Sequence, residues 1–271
     1  MQEIGKIKCF LLDMDGTINL GQKLLPGAKD FINYLIESGR DYLFLTNNSS
    51  KDTQHYVHKM RNLGIPCDED HMLTSGEATI IYLKDLMPNP KVYLMGTPEL
   101  QKEFEKGGIT LTDIDPDFVV LGFDMTLTYE KLVKGCDFIR NGVKYIATHP
   151  DFNCPVETGF IPDAGAMIEL IKASTGKTPF VVGKPNAAII KSAFEKKNKF
   201  KLDEFAMVGD RVYTDIKTGV NAGIASVLVL SGESTVEDLK KNNVEATYIF
   251  DGVGDIYNSL KDYDEKHRSC H

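Results

Sequence analysis

Short apolar runs that alternate with helix-period patterns constrain this chain most, because strands joined through helices build a largely parallel α/β sheet by crossover connections. Lys8 to Leu12 reads as a buried strand. After a turn region, Pro26 and Gly27 introduce a helix whose Phe31, Leu35 and Ile36 share one face, and Gly39 stops it. Tyr42 to Leu45 is the next strand, followed directly by Thr46-Asn47-Asn48 and then by a helix carrying Tyr56, Val57, Met60 and Leu63, which ends at Gly64.

From about Ser75 the pattern repeats with different partners: a helix to Met87, a strand at Val92 to Met95, and a helix with Thr97 as cap and Pro98 as first residue. The strand Phe118 to Leu121, a helix from Thr128 to Asn141 and the strand Lys144 to Ala147 complete this middle block, which reads as an inserted domain. A loop from Thr148 to Pro162 and a helix from Ala164 to Thr175 lead out of it. Core strands then resume at Phe180 to Val182, Phe205 to Val208, Ala225 to Leu230 and Thr247 to Phe250. The expected fold class is α/β: a Rossmann-like parallel core over 1–75 and 179–271, with a smaller α/β cap over 76–178.

With 42% hydrophobic and 26% charged residues, the chain has an ordinary globular composition. The net charge of -8 disfavours the long basic patch that a nucleic-acid backbone requires, while leaving room for a local positive pocket. Met1 runs almost directly into the apolar stretch Ile7 to Leu12 without the zones of a signal peptide. No apolar run approaches the roughly 20 residues that span a bilayer. Cys9, Cys67, Cys136, Cys154 and Cys270 are scattered and form no Cys-x-x-Cys pair, which suits a reducing cytosol and buried, inert thiols. His267, Cys270 and His271 read as a frayed polar tail. A cytoplasmic protein without nucleic-acid or membrane partners is the expectation.

Four polar motifs lie just past the C-terminal ends of expected strands, the edge at which open α/β sheets bind ligands. Asp13-Met14-Asp15-Gly16-Thr17 sets two carboxylates two residues apart beside a glycine that lets backbone amides approach an anion. Taken alone, this motif is equally a polar turn. Thr46 and Asn47 offer a hydroxyl, an amide and backbone donors suited to phosphate oxygens, although taken alone Thr-Asn-Asn reads first as a cap for the helix that starts near Ser50. Lys184, between Gly183 and Pro185, is a compact cation that can neutralise a phosphate. Asp210 and Asp215 in Gly209-Asp210-Arg211-Val212-Tyr213-Thr214-Asp215 add two acids, and a hard cation such as Mg2+ is the economical counter-charge.

In this order the four motifs resemble the haloacid dehalogenase (HAD) superfamily of aspartate-based phosphatases, and the block between Thr46 and Lys184 resembles the large α/β cap of its NagD-like and p-nitrophenyl phosphatase branch. The resemblance covers nearly the whole chain. It implies that Asp13 is the nucleophile, Asp15 the general acid and base, and Thr46, Asn47 and Lys184 the holders of the phosphoryl group. It further implies a backbone contact from Gly16 to phosphate. Magnesium would be bound by Asp13, the carbonyl of Asp15 and Asp210, with Asp215 steadying its water shell or Lys184. An acid at Asp15 argues against dehalogenation.

Specificity is expected from the cap, where His149-Pro150-Asp151 through Glu157-Thr158-Gly159 and Pro162-Asp163-Ala164-Gly165 resemble segments that face the active site. Many relatives have Asn at the position of His149 and Gly at that of Asp163, and His149 reads equally as a loop histidine bonded to nearby backbone. A small sugar phosphate or organic acid phosphate is the favoured substrate, with pyridoxal phosphate and nucleoside monophosphates as further candidates. The family also implies a homodimer through the cap. The rival functions are a phosphotransferase or mutase on the same fold and a non-catalytic metabolite sensor, against which intact Asp13 and Asp15 argue.

Overall fold

The strand Cys9–Leu12 is buried along its whole length because parallel neighbours flank it on both sides. Leu12 stands opposite Val208 of Phe205–Gly209 on one side and opposite Phe44 of Asp41–Thr46 on the other. These strands belong to a six-stranded sheet in a computed structural model that describes residues 3–156 and 158–268. Across it the order is Tyr248–Phe250, Ala225–Val229, Phe205–Gly209, Cys9–Leu12, Asp41–Thr46 and Met72–Thr74.

Helices cover this sheet by presenting one apolar face. In Ala28–Glu37 that face is Ala28, Phe31, Ile32 and Leu35, all fully buried, with Phe31 edge-on to Phe10 of the central strand at 5.6 Å. Ile36, expected on the same face, is 50% exposed; the helical repeat that buries Phe31 and Leu35 selects Ile32 in its place.

A second parallel sheet runs Phe180–Val181, Lys144–Ala147, Phe118–Leu121, Lys91–Met95 and Thr110–Leu111. Its helices start on side-chain caps: Thr74, Thr97, Thr128 and Asp163 accept from the backbone N–H of Glu77, Leu100, Lys131 and Ala164. The strand expected to resume the core sheet at Phe180 belongs here, since Phe180 pairs with Ile146 and its ring stacks on Tyr82 at 4.9 Å. So short an apolar run does not specify its sheet, and the cross-strand partner decides.

Two compact units result. Among the described residues, one takes in those up to Leu45, Val57–Leu73 and those from Ala193 on; the other comprises those of Thr46–Tyr56 and Thr74–Ser192. Within the second, the expected loop Thr148 to Pro162 contains an antiparallel hairpin of Asn153–Val156 and Gly159–Pro162. Its Pro155 and Pro162 disguise it as loop, but an isolated hairpin is all edge and tolerates proline.

Cys9, Cys67 and Cys136 are buried free thiols, and burial pushes the Cys9 and Cys67 pKa values up to about 12. His267, expected in a frayed tail, lies in the helix Val253–Arg268, while Glu157, Cys270 and His271 fall outside the described residues. Among the described residues no helix is long and apolar enough to cross a membrane.

Candidate active site

Parallel register brings the acidic motifs to one edge of the core sheet. Asp13 directly follows Leu12 and donates its N–H to the Val208 carbonyl at 2.9 Å, and Asp210 leaves the same neighbouring strand two residues later. Asp215 sits at the end of a π-helical turn, Val212–Ile216, where its Oδ2 accepts the Arg211 N–H at 3.1 Å. Carboxylate oxygens of Asp13, Asp210 and Asp215 all lie within 4.8 Å of one another.

These acids are pressed against backbone. A Cβ on Gly16 would fall 2.4 Å from Asp210 Oδ2, and Gly16 has φ +91°, so both space and conformation require glycine. A Cβ on Gly232 would fall 2.1 Å from the same oxygen, and one on Gly209 would fall 2.3 Å from Asp215 Cβ. Asp210 accepts from the Glu233 N–H at 2.8 Å and from Thr17 Oγ1 at 3.4 Å. Burial first, and then the charge of Asp13, raise its pKa above the ordinary carboxylate value despite the Glu233 bond. Beside it, burial would weaken the charge on Arg211, but Asp13, Tyr213, Asp215 and Asp210 hold that residue in its cationic form. Its Nε stands 3.0 Å from Glu233 Oε2, an ion-pair distance without hydrogen-bond alignment.

Asp15 is turned elsewhere. Its carboxylate accepts from Asn19 Nδ2 at 2.7 Å and pairs with Lys59 Nζ at 3.3 Å. The Gly16 N–H is donated to the Asn19 carbonyl at 2.8 Å, and the Gly16 carbonyl accepts from Ser231 Oγ at 2.8 Å.

The remaining expected residues belong to the second unit. Thr46 ends its strand, and its Oγ1 accepts the Asn48 N–H at 3.2 Å. Asn47 is clamped to Lys184 twice: Oδ1 accepts the Lys184 N–H at 2.9 Å, and Nδ2 donates to the Lys184 carbonyl at 3.0 Å. Nδ2 also reaches Asp151 Oδ2 at 3.1 Å. Asn47 and Lys184 are 7% and 3% exposed, so this is a fixed arrangement rather than a solvated surface.

Two contributors escaped the sequence reading. The segment Ser231–Ser234 holds Gly16 and Asp210 from the C-terminal end of another core strand; the Ser-Gly pair after that strand was the readable signal. Lys59 lies mid-helix in Thr53–Asn62, among residues that carry no motif.

Residues 10–110 match the family model of haloacid dehalogenase-like hydrolases, and residues 181–256 match a HAD-hydrolase-like model. The chain is similar to an acid sugar phosphatase of Staphylococcus aureus, 37% identical over 255 residues, which is 94% of this chain and 98% of that one. Among solved structures it resembles the 4-nitrophenylphosphatase of Thermotoga maritima, with TM-score 0.90, 45% identity and coverage of 96% of this chain and 100% of that one. It also resembles NagD of E. coli K-12, with TM-score 0.85, 33% identity and coverage of 92% and 97%.

Proposed function

The chain belongs to the haloacid dehalogenase-like hydrolases, as a phosphatase of their NagD and p-nitrophenyl phosphatase branch, and we propose that it is a magnesium-dependent phosphatase working through an aspartyl phosphate on Asp13. Its substrates are small sugar phosphates or organic acid phosphates. The observation that carries this reading is the convergence of Asp13, Asp210 and Asp215.

The donor set suits the metal: three carboxylates and no thiolate or imidazole favour a hard divalent cation held by oxygen. Asp13, Asp210 and the Asp15 carbonyl would hold magnesium, with Asp215 steadying its water shell. When bound, the ion would neutralise charge on the phosphoryl oxygens.

Asp13 attacks phosphorus, forming the acyl-phosphate bond as the ester P–O bond breaks. Asp15 gives its proton to the departing oxygen, then takes one from the water that cleaves the acyl phosphate, releasing phosphate and restoring Asp13. Thr46, Asn47 and Lys184 hold the phosphoryl oxygens, Lys184 by charge, Thr46 through its hydroxyl and Asn47 through its backbone. In this scheme Asp15 exchanges its contact with Lys59 for one with the leaving group. The proposal includes a cytoplasmic setting, which the scattered thiols favour, and a homodimer formed through the cap.

The test is phosphate release from p-nitrophenyl phosphate and a metabolite panel, with magnesium, with chelator, and with Asp13→Asn. Magnesium-dependent release that the variant loses is expected. Equal inactivity of the parent and variant proteins, both binding magnesium, would overturn the hydrolase reading.

A further inference from the structure

His149 has no solvent exposure and no part in the chemistry above. Its Nε2 lies 2.8 Å from Oδ1 of Asp163, which is itself 4% exposed. A carboxylate accepts only, so Nε2 carries a proton. The same Oδ1 accepts the Ala164 N–H at 2.6 Å, which ties the pair to the start of the helix Ala164–Thr175. On the other side of the ring, Nδ1 lies 2.9 Å from Thr148 Oγ1 and 3.5 Å from Ser75 Oγ. Ser75 spends its hydroxyl proton on the Asn47 carbonyl, so it can only accept from Nδ1. Burial alone would lower the His149 pKa, but the bond to Asp163, its charge and that of Asp151 raise it above the ordinary value. Thr148 Oγ1, itself 2.9 Å from Ser49 Oγ, can give or take the proton at Nδ1, so both ring nitrogens are satisfied inside the fold.

From this node the contacts run to Asn47 and Lys184. The Thr148 carbonyl accepts the Gly183 N–H at 2.8 Å, immediately before Lys184. Asp151 accepts from Asn47 through its side chain at 3.1 Å and from the Gly165 N–H through its carbonyl at 2.8 Å. There is no slack in the packing: a Cβ on Gly183 would fall 2.5 Å from the Thr148 carbonyl and 2.7 Å from Asn47 Oδ1, and one on Gly165 would fall 2.2 Å from the Pro150 carbonyl.

We propose that His149 and Asp163 form a buried positioning pair that fixes the Thr148-to-Asp151 turn and thereby the phosphate-holding residues Asn47 and Lys184. The inference rests on the reading of those two residues as phosphate ligands. A buried, hydrogen-bonded pair suits the task because each member is costly to leave unpartnered in the interior, so the turn has one low-energy arrangement.

The test uses Asp163→Asn, which keeps an oxygen for the Ala164 N–H while removing the charge, and His149→Gln, which keeps a donor. Amide hydrogen exchange at Gly183 and Lys184 reads the positioning directly. Inhibition of p-nitrophenyl phosphate turnover by inorganic phosphate, with KM and kcat separated, reads its consequence. Both variants should speed exchange at the two amides and weaken phosphate inhibition and KM by roughly tenfold or more, with kcat changed far less. Exchange and phosphate affinity that stay at the parent values in folded variants would overturn the pair. Lys184→Met separates the two readings: phosphate inhibition unaffected by that change overturns the phosphate-ligand assignment, and with it the pair's role in binding. If Lys184→Met is impaired while both pair variants behave as the parent, the pair alone falls.

Discussion

Nζ of Lys59 lies 3.3 Å from each carboxylate oxygen of Asp15. The Asp15 side chain is 53% exposed, and such half-solvated pairs contribute about 0 to 1 kcal/mol. Lys59→Met should therefore cost less than about 1 kcal/mol in urea unfolding. Asp15→Asn should be as mild in stability yet lower turnover by roughly 10²- to 10⁴-fold, the usual contribution of a general acid and base. A stability loss that matches the activity loss would make Asp15 a structural residue instead.

Gly16 and Gly21 separate conformational strain from collision. Both have positive φ, +91° and +58°, but a Cβ on Gly21 meets nothing within 4 Å whereas one on Gly16 strikes Asp210. Gly21→Ala should cost on the order of 1 kcal/mol, for backbone conformation alone. Gly16→Ala should cost at least about 2 kcal/mol more, because the buried Asp210 carboxylate, held by the Glu233 N–H, must shift. It should also weaken metal binding by displacing Asp210, as read by calorimetry with magnesium.

Much of this was legible because it is local. Asp13 and Asp210 each directly follow an apolar strand, and parallel register aligns those two strand ends, while Asp215 comes one turn later in the same motif. The Thr97–Pro98 helix start was legible for the same reason: cap chemistry is written within four residues. Pairing over long separation was not legible. Nothing in Phe180–Val181 distinguishes a core strand from an edge strand of the second sheet. The sequence around Lys59 does not announce Asp15, nor does a lone His149 announce Asp163, because each contact is made by the fold and not by a neighbour in the chain.

The three clustered acids should make the metal-free protein less stable than it could be. Like charges within 4.8 Å repel, and burial and then the charge of Asp13 raise the Asp210 pKa above the ordinary carboxylate value. Asp210→Asn should raise the melting temperature in chelator and abolish most of the rise that magnesium gives the parent protein. Saturating magnesium at about 100 times its Kd stabilises a single-site protein by about 2.7 kcal/mol. A variant that keeps the full magnesium-induced rise would remove Asp210 from the ligand set.

Glu103 should set a distinct pH dependence of stability. It lies in the helix Pro98–Lys106 and accepts from the Thr53 N–H at 3.1 Å, Thr53 Oγ1 at 2.8 Å and Thr74 Oγ1 at 3.3 Å. Burial, seconded by the charge of Glu77, lifts its pKa from 4.5 to about 7 against the pull of the Thr53 and Thr74 bonds. Below 4.5 the carboxyl is protonated in folded and unfolded chains alike, and it contributes no slope. Between 4.5 and about 7 the unfolded chain releases the proton while the folded protein keeps it, so stability falls as pH rises. Above about 7 both states are ionised and the loss levels off, at a total of roughly 3 kcal/mol or less. Glu103→Gln keeps an acceptor for Thr53 and cannot ionise. Subtracting its urea-unfolding curve from that of the parent should isolate this fall, with the variant gaining on the parent as pH rises through the window. Glu77→Gln, which removes only the neighbouring charge, should shift the fall towards lower pH. Difference curves that stay flat between pH 5 and 8 would mean that the three threonine donors keep Glu103 ionised throughout.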